Sequence, residues 1–544
     1  MAFQAARSRR DRPTAISEST SSSSHHSETA KDKTTAVQLA LLSRLYTDEE
    51  SSELSSAPLF SYPILSHTNT TNTKTKTYTQ YGLLGGSLEY PDPRVYYNVA
   101  TPSSAFICGS QGSGKSHTLS CLLENCLIPS DALGRLPRPL AAIVFHYDDY
   151  ASDSRVAPCE AAYLASDPAV SVRVLCAPTN VRVIKESYAP LKNVKVEALQ
   201  LDEAHLNTKR MLELMAFDKN QPLYAQVIQR ILRDMRLAQQ QQQGRGAQFH
   251  YLTFKNALAA EQLMTEQSKA LRQRLDTLQS FLVQSQVDPK AAGKKTKGTD
   301  WTLKAGELII VDLTCPCITA PMACALFNIC LSVFLGQDSS IGRVIALDEA
   351  HRYMGDSNEC ETFTNSLLAA IRMQRHVGAR IIVSTQEPTI SPKLLDLCSI
   401  TIVHRFTSPD WLSALSKHLA GMSKLSRVTQ IAEGDVQMPI TQKLEGLSLN
   451  SDANGRPGSG SGSNVVSSSD HDRLLQLFAE IVKLRPGEAL VFAPNAVLSL
   501  ETKQKMTVNG VTSKLVPVKL AHNVLRLMMR KRLTEDGGRS VMAS

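Results

Sequence analysis

The sequence has no C-x-x-C pair. Its 11 cysteines are scattered, and Cys108, Cys176, Cys324, Cys330 and Cys398 sit inside apolar runs. Zinc fingers and ribbons need closely paired cysteines, so zinc is not expected. The pattern is that of buried thiols in a reducing compartment, cytoplasm or nucleus in preference to mitochondrion. A secretory leader is also missing. Met1–Thr14 (MAFQAARSRRDRPT) has the Arg and Ser of a mitochondrial presequence, but Asp11, Glu18 and the serine run after them depart from one. Long uncharged runs are scarce. Leu313–Gln337 is long enough to span a bilayer, yet it contains Pro316, Pro321, Asn328 and Ser332 and has no basic flank. Its periodicity predicts a helix over Thr319–Leu335 buried against a sheet, and no membrane span. Charge of one sign is weak too. The formal net charge is +8, with the excess at the ends: Arg7, Arg9, Arg10 and Arg12 in front, Arg526, Arg530, Lys531 and Arg532 behind. Such tails are solvated or touch nucleic acid or acidic partners.

What is present is ordinary globular composition, 42% hydrophobic and 20% charged over 544 residues, too long for one compact core. It is organised around Ala105–Thr118, AFICGSQGSGKSHT. An apolar strand over Phe106–Cys108 runs into a glycine loop, and a helix is predicted from Thr118 to Leu127. The spacing G-x-x-x-x-G-K-S falls on Gly109, Gly114, Lys115 and Ser116. A glycine loop exposes backbone N–H groups to a phosphate, and the helix N-terminus adds partial positive charge. Gly109, Ser110, Gln111, Gly112, Ser113, Gly114, Lys115, Ser116 and His117 are thus the expected nucleotide-binding residues. Lys115 reaches the β- and γ-phosphates of ATP, and Ser116 ligates Mg²⁺.

Residues 1–79 are rich in Ser, Thr and charge and read as disordered, with one partner-binding helix candidate at Ala36–Tyr46. Residues 80–201 begin an α/β domain: strands near Ala105–Cys108, Ala141–Phe145, Val170–Leu175 and Val194–Leu199 alternate with helices, which implies a parallel sheet with helices on both faces. Residues 202–299 read as an α-helical insertion, with helical periodicity over Ala204–Met215, Tyr224–Leu237 and Ala257–Leu282 and polar breaks at Gln239–Gln243 and Lys294–Lys297. The α/β pattern returns over 300–505, with strands at Glu307–Asp312, Val344–Leu347, Arg380–Val383 and Ser399–Val403. A flexible loop is expected over 446–470, and Glu488–Phe492 is expected to be the last strand. A basic extension, 506–544, includes a predicted helix over Lys519–Leu533.

The second half of the site is Gly342–His351, GRVIALDEAH. An apolar strand ending in two carboxylates suits nucleotide hydrolysis. Asp348 is placed on Mg²⁺ with Ser116, and Glu349 is the general base. In Arg380–Pro388, RIIVSTQEP, Gln386 is a neutral amide at a strand tip that can bond both the γ-phosphate and the attacking water. Arg372, Arg375, Arg380 and Arg405 are candidates for a cation against the γ-phosphate, and Arg375 is preferred as a finger entering a neighbour's site.

Together, Cys108–Leu119, Val344–His351, Val383–Pro388, Arg405 and Arg485–Phe492 (RPGEALVF) resemble the HerA/FtsK superfamily of P-loop ATPases, over about Tyr81 to Asn495. The resemblance implies a RecA-like fold, ATP hydrolysis with Mg²⁺, a homo-oligomer that can be a hexameric ring, and movement of a polymer such as DNA. The chain departs from the DNA motors of that group in its low-complexity insertions and in having no recognisable winged-helix module. A nucleotide-switched scaffold with slow turnover is the alternative. The DEAH box also invites a helicase reading, but no second lobe with an arginine-rich motif follows.

Overall fold

In a computed structural model the described residues are 53–71, 77–149, 156–214, 222–241, 249–261, 269, 272, 275–276, 278–287, 297–338, 340–388, 390–418, 468–507 and 510–537. The chain divides into two units, Met1–Ser55 and Ser56–Ser544. The candidate helix Ala36–Tyr46 and nearly all of loop 446–470 lie outside the described residues. Within the second unit, strands are β1 (Leu59–Ser61), β2 (Tyr81–Gly86), β3 (Arg94–Asn98), β4 (Ser104–Cys108), β5 (Gly134–Arg135), β6 (Ala141–His146), β7 (Ser171–Cys176), β8 (Val194–Ala198), β9 (Glu307–Asp312), β10 (Arg343–Leu347), β11 (Ala379–Thr385), β12 (Ile400–Val403), β13 (Glu488–Phe492), β14 (Val497–Thr507), β15 (Gly510–Lys519) and β16 (Leu525–Met529).

All belong to one mixed sheet, in the order β15-β14-β1-β3-β2-β16-β13-β12-β4-β11-β10-β6-β9-β7-β8, with β5 beside β2. From β12 to β8 every pairing is parallel. From β12 to β3 every pairing on the other side is antiparallel. The parallel half is the expected α/β, RecA-like sheet. Its strands β4, β9, β10, β11 and β12 are buried at every residue, as uninterrupted apolar runs require. Successive residues feed opposite cores. Phe106, Ile345 and Leu347 pack on one face, and Ala105, Ile107, Val344 and Ala346 on the other.

Helices cover both faces. The helices named here are α1 (Tyr62–Thr71), α2 (Lys115–Leu127), α3 (Val181–Tyr188), α4 (Thr208–Leu214), α5 (Pro222–Gln241), α6 (Tyr251–Ala259), α7 (Gln284–Val287), α8 (Ala320–Leu335), α9 (Asn358–Arg372), α10 (Gln374–Val377), α11 (Pro392–Leu397), α12 (Pro409–His418) and α13 (Ser468–Lys483). The uncharged stretch forms α8, 16 residues long, with Phe327 stacked against Phe145 at 4.9 Å between ring centroids. Each such buried large side chain contributes about 1.5–3 kcal/mol, so burial on the sheet holds this helix. No described helix is long and apolar enough to cross a membrane.

Helices α4 to α7 lie between β8 and β9. The neck of this excursion is tied by Leu201 N–H to Phe281 O (2.7 Å), Val283 N–H to Leu201 O (3.2 Å) and Thr299 N–H to Gln200 O (2.7 Å). Helix α5 continues through Gln241, so the glutamine run is not a break up to that point.

The C-terminal segment differs from the expectation. Glu488–Phe492 is not the last strand, and Lys519–Leu533 is not a helix: β14, β15 and β16 follow it. Strand β16 inserts between β13 and β2, where Leu525, Leu527 and Met529 point into the core while Arg526 and Met528 are exposed. This alternation has period two, and the ladder partners are supplied by segments distant in sequence.

Candidate functional site

The parallel strands β12, β4, β11 and β10 end on one edge, and their tips carry the candidate residues side by side. Strand β4 delivers the glycine loop, β11 delivers Gln386, and β10 delivers Asp348 and Glu349. The register places Thr385 opposite Cys108, and Leu347 opposite Val383. Parallel pairing without shift is what brings three separate motifs to one place.

The loop is held open by the chain around it. Ser110 N–H donates to Arg405 O at 2.9 Å, and Ser113 Oγ donates to Ser110 O at 2.7 Å. Gly487 N–H donates to Ser113 O at 3.3 Å, so the Arg485–Glu488 turn leans on the loop. Two glycines are irreplaceable on geometry. Gly109 has φ +150° and a Cβ there would lie 2.7 Å from His404 Cβ; Gly114 has φ +110° and its Cβ would lie 3.0 Å from Gly487 N. Gly114 is also the N-cap of α2, so the helix N-terminus faces the loop.

Lys115 is 3% exposed, and its Nζ donates to Ser110 O at 2.9 Å. Burial lowers its pKa, opposed by the charges of Glu349 and Asp348. The ammonium is therefore within electrostatic reach of both acids. Ser116 and His117 are half-buried on the first turn of α2. The His117 Nε2 lies 2.8 Å from Arg530 O, which points its ring at the C-terminal segment.

Asp348 is 3% exposed, and its Oδ1 is buried without a hydrogen-bond partner. An unpaired buried carboxylate oxygen is costly unless a cation answers it. Glu349 occupies the left-handed region (φ 48°, ψ 47°), a strain of about 1–3 kcal/mol for a non-glycine residue. Its pKa is raised by burial and then by Asp348. Gln386 Nε2 donates to Glu349 Oε2 at 2.7 Å, while Gln386 O accepts from Trp411 Nε1 at 2.8 Å. The residue is thus anchored at its backbone, and its amide is turned toward the Glu349 carboxylate. His351 Nδ1 stands 3.5 Å from Glu349 Oε2, yet it accepts the Gln386 N–H at 3.4 Å, and burial lowers its pKa. It is neutral there, and no ion pair forms.

The four arginine candidates separate. Arg380 is 4% exposed and spends its guanidinium on Val99 O, Ala100 O and Gly378 O, so it is a core brace and no finger. Arg372 and Arg375 are exposed, but they precede β11 and lie at the edge of the sheet opposite the loop. Arg405 is exposed at the loop's own edge, with its carbonyl holding Ser110.

Two groups are not apparent from local sequence. His404 is fully buried under the loop, its Nδ1 2.9 Å from Glu488 O and its Nε2 2.9 Å from Thr118 Oγ1. A carbonyl at Nδ1 requires the proton there, so Nε2 accepts from Thr118. Burial lowers its pKa to about 4, so the ring is neutral. Glu124, fully buried on α2, accepts from Arg530 Nη1 (2.6 Å), Thr534 Oγ1 (2.6 Å) and the Leu533 and Thr534 N–H groups. A lone acid in the apolar body of the helix, past Lys115 at its start, is the signal that could have found it.

No protein-family model matches the chain, and no curated protein sequence matches it significantly. Among solved structures the chain is similar to VirB4 of Thermoanaerobacter pseudethanolicus, at 11% identity and TM-score 0.40, covering 81% of this chain and 96% of that one. It is also similar to the bacterial conjugative coupling protein TrwBdeltaN70 (12%, TM-score 0.38, 85% and 96%). A third is the genome packaging NTPase B204 from Sulfolobus turreted icosahedral virus 2 (8%, TM-score 0.25, 76% and 96%). At such low similarity the strand order and site geometry define the fold.

Proposed function

We propose that this chain is a Mg²⁺-dependent ATPase of the HerA/FtsK type. The observation that carries the reading is the meeting of Lys115, Asp348, Glu349 and Gln386 on one sheet edge. The residues fit ATP and Mg²⁺. The loop glycines keep Cβ atoms out of the cradle, and Asp348 Oδ1 is an orphaned acceptor beside the loop cation. Asp348 and Ser116 would hold the ion, which when bound neutralises charge on the phosphates.

The chain's own residues do the rest. The loop N–H groups within Gly109–His117, other than that of Ser110, and the α2 N-terminus bind and orient the triphosphate. Lys115 leaves Ser110 O for the β- and γ-phosphates. Glu349, with a raised pKa, accepts a proton from the attacking water more readily than an ordinary carboxylate does. Gln386 fixes the Glu349 carboxylate and offers its amide to the water and γ-phosphate. Arg405 serves as the cation within its own chain. Arg375 can serve only from a neighbour in a homo-oligomer, because its edge is opposite to its own loop.

The coupled work is movement or remodelling of a polymer such as DNA, in a homo-oligomer within a reducing compartment. The test is phosphate release by the full chain with and without double-stranded DNA, with oligomer size measured with and without ATP. DNA-stimulated turnover in a ring supports a motor. Slow turnover in a monomer, indifferent to DNA, supports a nucleotide-switched scaffold, and no turnover at all overturns the ATPase reading.

A further inference from the structure

Asp348 has a second oxygen with a different neighbourhood. Its Oδ2 lies 3.6 Å from His146 Nδ1 and 3.7 Å from Cys159 Sγ, and the three donor atoms all lie within 4.8 Å of one another. His146 ends β6, Asp348 follows β10 beside it, and Cys159 leads into the 3-10 helix Glu160–Ser166. His146 Nδ1 is buried and makes no hydrogen bond, while Asp348 Oδ1 is likewise unpartnered. Of the three cluster atoms, His146 Nδ1 is thus a buried polar atom that faces Asp348 Oδ2 without a hydrogen bond, and packing alone does not account for it.

The donor set is chemically selective. Thiolate, imidazole and carboxylate together suit a borderline-soft ion of the Zn²⁺ class and suit Mg²⁺ poorly. Zinc bonds of about 2.0–2.3 Å at tetrahedral angles give ligand–ligand edges of about 3.3–3.5 Å. The two measured edges, 3.6 and 3.7 Å, are within a small side-chain adjustment of that. The support is rigid. Cys159 N–H donates to Tyr188 Oη at 2.8 Å, and Tyr188 Oη donates to Asp312 Oδ2 at 2.7 Å, which fixes the segment carrying the thiol. His146, with a side chain 12% exposed, gives the ion its approach.

We propose that His146, Cys159 and Asp348 form a binding site for one Zn²⁺-class ion, completed by a water molecule. Binding displaces the Cys159 thiol proton and the His146 Nδ1 proton to solvent and forms the metal–sulfur and metal–nitrogen bonds. Because the ion engages Asp348, it withdraws that carboxylate from Mg²⁺ and inhibits ATP hydrolysis; this consequence alone rests on the ATPase reading above.

The test uses the full chain, stripped of metal and titrated with Co²⁺ as a spectroscopic probe. One equivalent should give a thiolate-to-cobalt charge-transfer band, bleached by Zn²⁺. Cys159→Ala should abolish the band, Tyr188→Phe should weaken binding by about 10-fold, and Cys317→Ala, at an exposed thiol, should leave it intact. Cys159→Ser serves if the alanine variant does not fold. No band in the wild type, or an unchanged band without the Cys159 thiol, overturns the site. Zinc should also slow phosphate release in the wild type and not in Cys159→Ser. Hydrolysis insensitive to zinc in a chain that shows the band overturns the inhibition, and a band without any hydrolysis sinks only the ATPase reading.

Discussion

The two halves of the sheet were built differently and do different things. The parallel half, β12 to β8, places every group assigned to nucleotide chemistry on its strand tips. The antiparallel half carries no assigned reactive side chain. It is stitched from β1 to β3 near the start of the chain and β13 to β16 at its end, with β1 and β14 its one parallel pair. Yet it fixes the geometry of the other half. Gly487 N–H holds Ser113, Glu488 O orients His404, and Arg530 reaches Glu124 on the loop helix across more than 400 residues of sequence. The difference teaches that strand tips supply the reagents while a remote segment keeps the loop in shape.

Variants can break this division of labour. The largest effect belongs to the reactive half: Glu349→Gln should slow turnover by about 10²–10⁴-fold while nucleotide affinity, read by titration with a fluorescent analogue, stays within a few-fold. Next, Glu124→Ala leaves Arg530, with a side chain only 8% exposed, buried without its carboxylate, while Arg532 keeps Glu160. It should cost about 3–5 kcal/mol of stability, measured by urea unfolding. A loss under about 1 kcal/mol would show that the brace is dispensable. Lys115→Ala should weaken nucleotide binding by about 100-fold, from about 3 kcal/mol of charge-assisted bonding, with the melt unchanged.

His404 sharpens the comparison through pH. Its folded pKa, about 4, lies below the unfolded value of 6.5, so the folded state binds fewer protons between them. The stability is intact above 6.5 and falls progressively toward pH 4, by up to about 3 kcal/mol. Replacing His404 by Gln should flatten that part of the stability profile. The smallest effect is expected from Gln386→Ala, about 10-fold in turnover, the lower end for one lost hydrogen bond to a carboxylate.

The runs Val497–Thr507 and Gly510–Lys519 carry β-branched residues, a local mark of strands, and they pair as β14 and β15. The basic run after them has no such local mark. Arg530 and Arg532 look like a solvated tail in sequence, and distant partners make them interior: Glu124 for Arg530, and Glu160 with Glu124 for Arg532. Arg380 was misleading for the same reason: its neighbours in sequence are strand residues, while the carbonyls that take its guanidinium belong to Val99 and Ala100. Arg375 was legible as an exposed arginine, but its edge of the sheet was not.

By itself the sequence determined the phosphate loop, the acid-tipped strand and the alternation of strands with helices. Each is encoded in a window short enough for local backbone rules and apolar periodicity to govern. Tertiary structure alone decided which tips become neighbours, that the chain's end threads back beside its loop helix, and that His146 and Cys159 meet Asp348. Those contacts depend on the register of strands far apart along the chain, and no short window contains both partners.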